Sequence, residues 1–423
     1  MKTKQITILF SILLVLLPVS VLHSQTSAFS VYGIGELYSN GFGRNYAMGG
    51  TGIGVRSPQH LNSLNPASYT VMDTLSFFFE AGVRGKLQVF SLNSESNQHS
   101  SIDIDNFAFG FPLARFLFTS IGVRPAATTK YSFANSDDKS WYSYKGDGNI
   151  ANFYGGLGLK ITKSLSVGVH VCYLFGDNKN FYSQMFSYDD RVFGGVAETR
   201  INDVILDFGA QYIYNIKDNK LIIGATFSPK SKINGKSTYV RGSGNSFNND
   251  GTLVILDTIP HNWNGKNFEM PLKFGLGLSY MIDKRLTLAF DYSTTKWSDI
   301  DFSKFNPNTS ASAAESSDSY YFATGLEWIP NLTTGIKYYE RIRYRAGLFY
   351  SRDYVKFKNK YVMDYGITAG FGFPLRRTST SINISFELGK KGIDDITVTS
   401  ETYGIATVSF TMHEYWFMKS KIR

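Results

Sequence analysis

The sequence predicts an all-β protein: a transmembrane antiparallel β-barrel of about 14 strands, with an N-terminal hatch plugging the lumen. Three observations predict it. First, from residue 75 onward, short segments carry an apolar side chain at every second position. Leu165, Val167, Val169, Val171, Tyr173 and Phe175 alternate with Ser166, Gly168, His170 and Cys172; Ile382, Ile384, Phe386 and Leu388 alternate with Ser381, Asn383, Ser385 and Glu387. A strand points successive side chains to opposite faces, so each segment has one oily face and one polar face. Second, tight polar turns (162–164, 217–219, 283–284) alternate with polar stretches read as long loops near 131–145, 177–199, 235–265 and 299–318. A soluble sandwich shares the alternation, but short turns at one end and long loops at the other mark an outer-membrane barrel. Third, Lys2 and Lys4 precede an apolar run from Ile6 to Val21, the pattern of a secretory signal peptide over residues 1–25. That run is too short for a convincing membrane-spanning helix.

The barrel is expected over 75–418, with candidate strands 75–91, 102–113, 115–130, 146–162, 164–176, 200–217, 220–234, 266–283, 285–299, 319–330, 341–355, 361–375, 379–390 and 403–414. An even count lets the first and last strands meet antiparallel, leaving no edge in lipid. The stripe Leu272, Phe274, Leu276, Leu278, Tyr280 is assigned to lipid, and the opposite parity, including Asp203, Asp207 and Asp291, to the lumen. A Lys or Arg on the lipid face at midplane costs roughly 2–4 kcal/mol, which makes that parity hard to reverse. Trp328 and Trp416 fall at short-turn strand ends and Trp297 at a long-loop end, as belt residues. The segment 331–340 is an unusually long turn for the short-turn end. Residues 419–423 form a basic periplasmic tail.

Composition agrees. Aromatics make up 16%, Gly counts 39 and Pro 11, and the formal charge of +9 is spread without a dense basic run, which argues against nucleic-acid binding. Cys172 is the single cysteine, so no intramolecular disulfide forms. The expected location is the outer membrane of a Gram-negative cell. The implied partners are the lipid bilayer and, during biogenesis, the barrel-assembly machinery that reads an alternating, aromatic-ended last strand such as 408–417.

Residues 26–74 do not alternate. They are rich in Gly (Gly33, Gly35, Gly41, Gly43, Gly49, Gly50, Gly52, Gly54) yet too apolar for a linker. Such a backbone-dense segment reads as a plug, because Gly permits tight turns and a lumen supplies partners for its main-chain groups. The motifs Gly41-Phe42-Gly43-Arg44, Ala47-Met48-Gly49-Gly50-Thr51-Gly52 and Asn65-Pro66-Ala67 resemble the N-terminal hatch of the FadL/TodX (OMPP1) family of outer-membrane transport proteins. The resemblance implies a hatch-plugged 14-stranded barrel and passive uptake of hydrophobic small molecules such as long-chain fatty acids. It also implies an inward kink of the third strand that opens a lateral gap; Gly122 and Pro125 are the matching residues here. Pro125 lacks a ladder donor, and the alternative is that it merely ends its strand. Relatives in that family also serve protein secretion or assembly. The second functional reading is therefore a non-transporting barrel subunit of such a complex.

Arg341, Arg343 and Arg345 share one parity and form an expected lumen ladder. It serves either as a clamp for a ligand carboxylate or, favoured, as charge balance for lumen acids such as Asp207, Asp364, Glu387 or Glu36. Asp103, Asp105 and Asn106 read as a solvated rim sooner than a Ca²⁺ site. No catalytic constellation, metal site or cofactor is expected: the six His are scattered, and no Ser and acid accompany His170 or His413 as a triad.

Overall fold

The computed structural model describes residues 27–38, 41–92, 95–188, 191–244, 259–301, 314–332, 337–357, 359–375, 379–393 and 400–416. The expected signal peptide and basic tail lie outside these residues. Fourteen wall strands close into one antiparallel barrel. They are β1 (Ser76–Leu92), β2 (Glu95–Pro112), β3 (Leu117–Ser136), β4 (Ser140–Lys160), β5 (Leu165–Phe186), β6 (Val192–Ile216), β7 (Asn219–Ser228 continuing as Ser231–Gly244), β8 (Ile259–Met270 continuing as Lys273–Ile282), β9 (Leu286–Thr295), β10 (Ser319–Trp328), β11 (Arg343–Phe357), β12 (Lys360–Pro374), β13 (Ser381–Gly392) and β14 (Ser400–Tyr415). β14 pairs with β1 from Tyr415↔Ser76 to Ser400↔Ser91, which closes the ladder. Phe77 and Trp416 stack across that seam at 4.0 Å between ring centroids.

The alternating segments form the wall as their parity requires. Leu276, Leu278, Leu288 and Phe290 are exposed on the outer face, while Asp291, Thr287 and Ser279 are buried inside. The strands nevertheless run much further than their alternation. The stretches 131–145 and 177–199, expected as loops, are the ends of β3–β4 and β5–β6; residues 137–139 join the first pair, and in the connection of the second pair 189–190 lie outside the described residues. Most of 235–265 likewise belongs to β7 and β8, with 245–258 outside the described residues. The physical reason is the surroundings. A hydrocarbon core is crossed by about 9–11 strand residues, and beyond it neither face meets lipid, so the period fades while the ladder continues. Pro229 also does not end its strand: it interrupts β7, which resumes at Ser231, and Pro271 does the same in β8.

Among the described residues the ladder is interrupted in more than one place: β6 and β7 skip residues 202–207, between Ile201↔Gly235 and Phe208↔Phe227, and the longer break lies between β2 and β3. β2 and β3 pair only from Phe107↔Val123 to Pro112↔Phe118. At that level both strands carry an extra residue, Asp105 on β2 and Ala126 on β3. A bulge bends its strand and flips the parity beyond it, so two bulges side by side let the strands part. The hatch fills part of the vacated edge: Glu36 and Leu37 pair with Thr128 and Ala127 of β3.

Apolar residues also occupy the lumen. Ile34, Ala127, Ile150, Leu174, Ile201, Ile233, Phe268, Trp297, Ile300, Tyr354 and Val355 form one buried cluster fed from both sides of the barrel. It roofs the interior at the long-loop end. Trp297, expected in the outer belt, belongs to this roof: it is 2% exposed and packs on Tyr354 at 4.8 Å. A second cluster, including Phe42, Leu61, Tyr69, Phe78, Phe118 and Tyr154, binds the hatch to the wall near the short-turn end.

Candidate functional site

The hatch is held by side chains that satisfy its backbone. Asn65 caps the short 3₁₀ helix Pro66–Val71: its Oδ1 accepts from the Ala67 N–H at 3.1 Å, and Pro66 needs no donor at the first position. Asn65 Nδ2 donates to the carbonyls of Ile53 in the hatch (2.9 Å) and Ala210 in β6 (3.1 Å), which ties plug to wall. Gly49 and Gly50, at φ of +66° and +79°, take the left-handed turn that other residues avoid. Gly49 N–H donates to Thr368 Oγ1 at 2.8 Å, and its carbonyl accepts from Tyr321 at 2.7 Å. The Asp291 carboxylate accepts from the N–H groups of Gly52 (2.6 Å) and Ile53 (2.8 Å). Gly43 opens the helical turn Gly43–Tyr46, directly after Gly41 and Phe42; Gly41, Gly43, Arg44 and Ala67 are all buried.

The arginines divide. Arg44 of the hatch and Arg345 of β11 both bind Glu327 of β10, at 2.6 and 2.7 Å, with all three side chains at most 8% exposed. Arg345 also donates to Asn383 at 2.8 Å, and Arg343 bonds Gln59 of the hatch. Arg341 is not in the ladder: it sits in the 3₁₀ turn Tyr338–Arg341 that precedes the strand. Two guanidinium groups therefore share one carboxylate supplied by the chain itself, and that acid is Glu327, which the sequence reading passed over. Parity places Glu327 on the lumen face, alternating with Leu326 and Trp328, but its position opposite Arg345 depends on the strand register.

The residues matched to the strand-three kink also separate. Pro125 pairs opposite Ala151 immediately before the bulge, and β3 continues to Ser136, so Pro125 is no terminator. Gly122 has a different role: a Cβ there would meet the Phe107 carbonyl oxygen at 2.7 Å and the Tyr154 ring at 2.9 Å. It makes room for a buried tyrosine. Asp103, Asp105 and Asn106 are not a rim cluster. Asp105 is buried against Tyr46, which donates to it at 2.9 Å, and Arg84 at 3.7 Å; Asp103 meets Lys130 of β3 at 3.5 Å.

Between hatch and wall lies a cavity of about 310 Å³. Its lining includes the acids Glu36, Asp207, Asp291, Asp353, Asp364 and Glu387 and the cations Arg84, Lys86, Arg124, Lys273, Arg352 and Lys391. Several are paired: Lys86 with Glu36 at 3.2 Å, Lys391 with Asp353 at 2.7 Å. This is a balanced, charged chamber. Apolar side chains, among them Leu37, Ile53, Leu64, Phe349 and Ile405, share the lining, and an alkyl chain would have to keep to them, because stripping water from the charges is costly.

At the chamber edge His170, Cys172 and Asp207 place one ligand-type atom each within 4.8 Å of one another. His170 and Asp207 are direct neighbours across β5 and β6, a relationship visible only once the register is known. Their partners are protein groups: His170 Nε2 shares a hydrogen bond of 2.8 Å with Tyr69, and Asp207 accepts from Ser228 and from the Cys172 thiol. The cluster anchors the Pro66–Val71 helix, and the cations Lys273 and Arg124 beside it disfavour a metal ion.

The protein-family model described as BamG matches residues 2–423. Among solved structures, the fold is similar to the P. putida toluene transporter TodX (16% identity, TM-score 0.59, covering 90% of this chain and 100% of that one). It is also similar to a Pseudomonas aeruginosa FadL homologue (11% identity, TM-score 0.58, 89% and 99%) and to the CymD monoaromatic hydrocarbon channel (14% identity, TM-score 0.57, 90% and 99%). No curated protein matches the chain. At these identities the likeness extends to the FadL-type barrel fold.

Proposed function

The chain belongs to the BamG family, and from that premise we propose that it is a non-transporting barrel subunit of an outer-membrane assembly or secretion complex. One observation carries the reading: side chains pack the lumen at two levels. The hatch is fixed by the buried Arg44–Glu327–Arg345 group and by Asp291, and an apolar roof from Ile34 to Val355 covers the other end. The chamber between them is charged. A wall closed in this way is a rigid scaffold, and the family designation hints at barrel assembly. Native mass spectrometry of the protein extracted in mild detergent tests this. A stoichiometric protein partner with no ion conductance in planar bilayers is the expected result. A conducting barrel without a partner overturns it.

A second reading has its own support. The β2–β3 ladder stops at Val123 beside two bulges, and Leu37 at the vacated edge is 39% exposed. This favours passive uptake of hydrophobic small molecules, long-chain fatty acids among them, with lateral release into the bilayer at Pro125. An apolar chain gains about 0.8 kcal/mol per CH₂ on entering lipid, so a side exit spares it periplasmic water. Cysteines at Asp103 and Lys130, joined by a short bis-maleimide, would close the opening; the native Cys172 is buried. Uptake that stops on bridging supports lateral release. Unchanged uptake removes it.

A further inference from the structure

Part of the chain's excess positive charge forms a rim at one end of the barrel. At the short-turn end, Arg115 follows β2, Lys160 and Lys163 flank the β4–β5 turn, and Lys217 and Lys220 flank the β6–β7 turn. Lys284 and Arg285 form the β8–β9 turn, and Lys337 and Arg341 lie in the β10–β11 connection. These nine cations face five acids at the same end, Asp73, Asp218, Asp283, Glu340 and Glu414, an excess of four. All but Arg341 are exposed, and none makes an ion pair with a described residue. The opposite end is mixed: Asp137, Asp138 and Asp147 outnumber Lys139 and Lys145 around the β3–β4 turn, while Lys232, Lys236 and Arg241 lie exposed on β7.

The cations sit directly beside an exposed apolar belt. Phe116 (57% exposed) adjoins Arg115, Ile161 (49%) lies next to Lys160, and Tyr338 and Tyr339 follow Lys337. Charge flanking such a belt lies at headgroup depth. The cations also occupy successive turns around the barrel instead of one patch. A surrounding lipid leaflet matches that arrangement, whereas a protein seated on one side meets only part of it.

We propose that this rim binds the phosphate groups of anionic phospholipids of the phosphatidylglycerol type in the leaflet around it. The proposal rests on the reading of the chain as a membrane barrel, not on either functional reading. The test uses the full chain in nanodiscs of phosphatidylethanolamine with phosphatidylglycerol as the minor component. Lipids retained after gentle release are counted by native mass spectrometry. One basic contact corresponds to about a fivefold preference, so retained phosphatidylglycerol should exceed its bulk share by about that factor or more. The variant R115Q/K163Q/K220Q should fall to the bulk share, and the opposite-end variant K139Q/K145Q/K179Q should keep the enrichment. Wild type without enrichment, or a rim variant that retains it, overturns the proposal. Displacement of the lipid by excess inorganic phosphate would make the rim a free-phosphate site, and a stoichiometric protein bound in the lipid's place would make it a protein face; both outcomes also overturn it. A heat-dependent gel shift run on every variant detects loss of the folded barrel, which would count against the barrel reading instead.

Discussion

Arg44 in the hatch grips Glu327 in the wall through two hydrogen bonds, Nε to Oε2 at 3.0 Å and Nη2 to Oε1 at 2.6 Å. The two residues are far apart in sequence, and Arg345 closes on the same carboxylate from β11. Removing one partner of a buried pair leaves the other charged and unpaired, at about 3–5 kcal/mol. Glu327→Gln should therefore release the hatch. A lower temperature for the heat-dependent gel shift, with faster protease cleavage inside residues 41–72, is the expected outcome.

Asn65 serves hatch and wall together. Asn65→Ala removes a helix cap and two donated hydrogen bonds, a loss of about 1–3 kcal/mol. The barrel should stay folded while apolar dye leaks through it more quickly. Unchanged leak and unchanged gel shift would remove Asn65 from the plug's anchoring.

The roof should behave as a core. Trp297→Ala empties a buried site in the apolar cluster, and such truncations cost about 3–5 kcal/mol. Conductance of a Trp297→Ala, Glu327→Gln double variant in planar bilayers should exceed that of either single variant, because the two stoppers act in series.

His60 gives the hatch a pH response. Burial, reinforced by Arg343, Arg345 and Arg44, holds its imidazole well below the usual value. The folded hatch therefore keeps His60 neutral, while the released hatch takes up a proton below its unperturbed pKa of about 6.5. Stability of the docked hatch is full above that pH and falls as pH drops through and beneath it. Hatch release measured by protease should rise on acidification, and His60→Gln should flatten that rise.

Orientation follows from the turns. Protease applied to whole cells should cut at 137–139 and between β5 and β6, the connections of the extended β3–β4 and β5–β6 arms, and spare 217–218 and 283–285. Cleavage of the second pair from outside would invert the barrel.

The sequence by itself determined the barrel, its strand count and its outward face, because lipid on one side imposes a strict period of two that survives into the residue order. Gly49 and Gly50, the glycines on which the hatch reading rests, have a backbone demand that is local: both sit at positive φ. Tertiary structure alone decided the rest. The arms of β3 to β6 beyond the bilayer lost their alternation because neither face meets hydrocarbon. Trp297 turned inward to the roof, and Asp105 and Ala126 shifted parity by a bulge that no composition announces. The acid that Arg44 and Arg345 share, and the pairing of His170 with Asp207, depend on the register between strands. Register is a property of closed geometry, in which residues hundreds of positions apart meet only once the last strand has found the first.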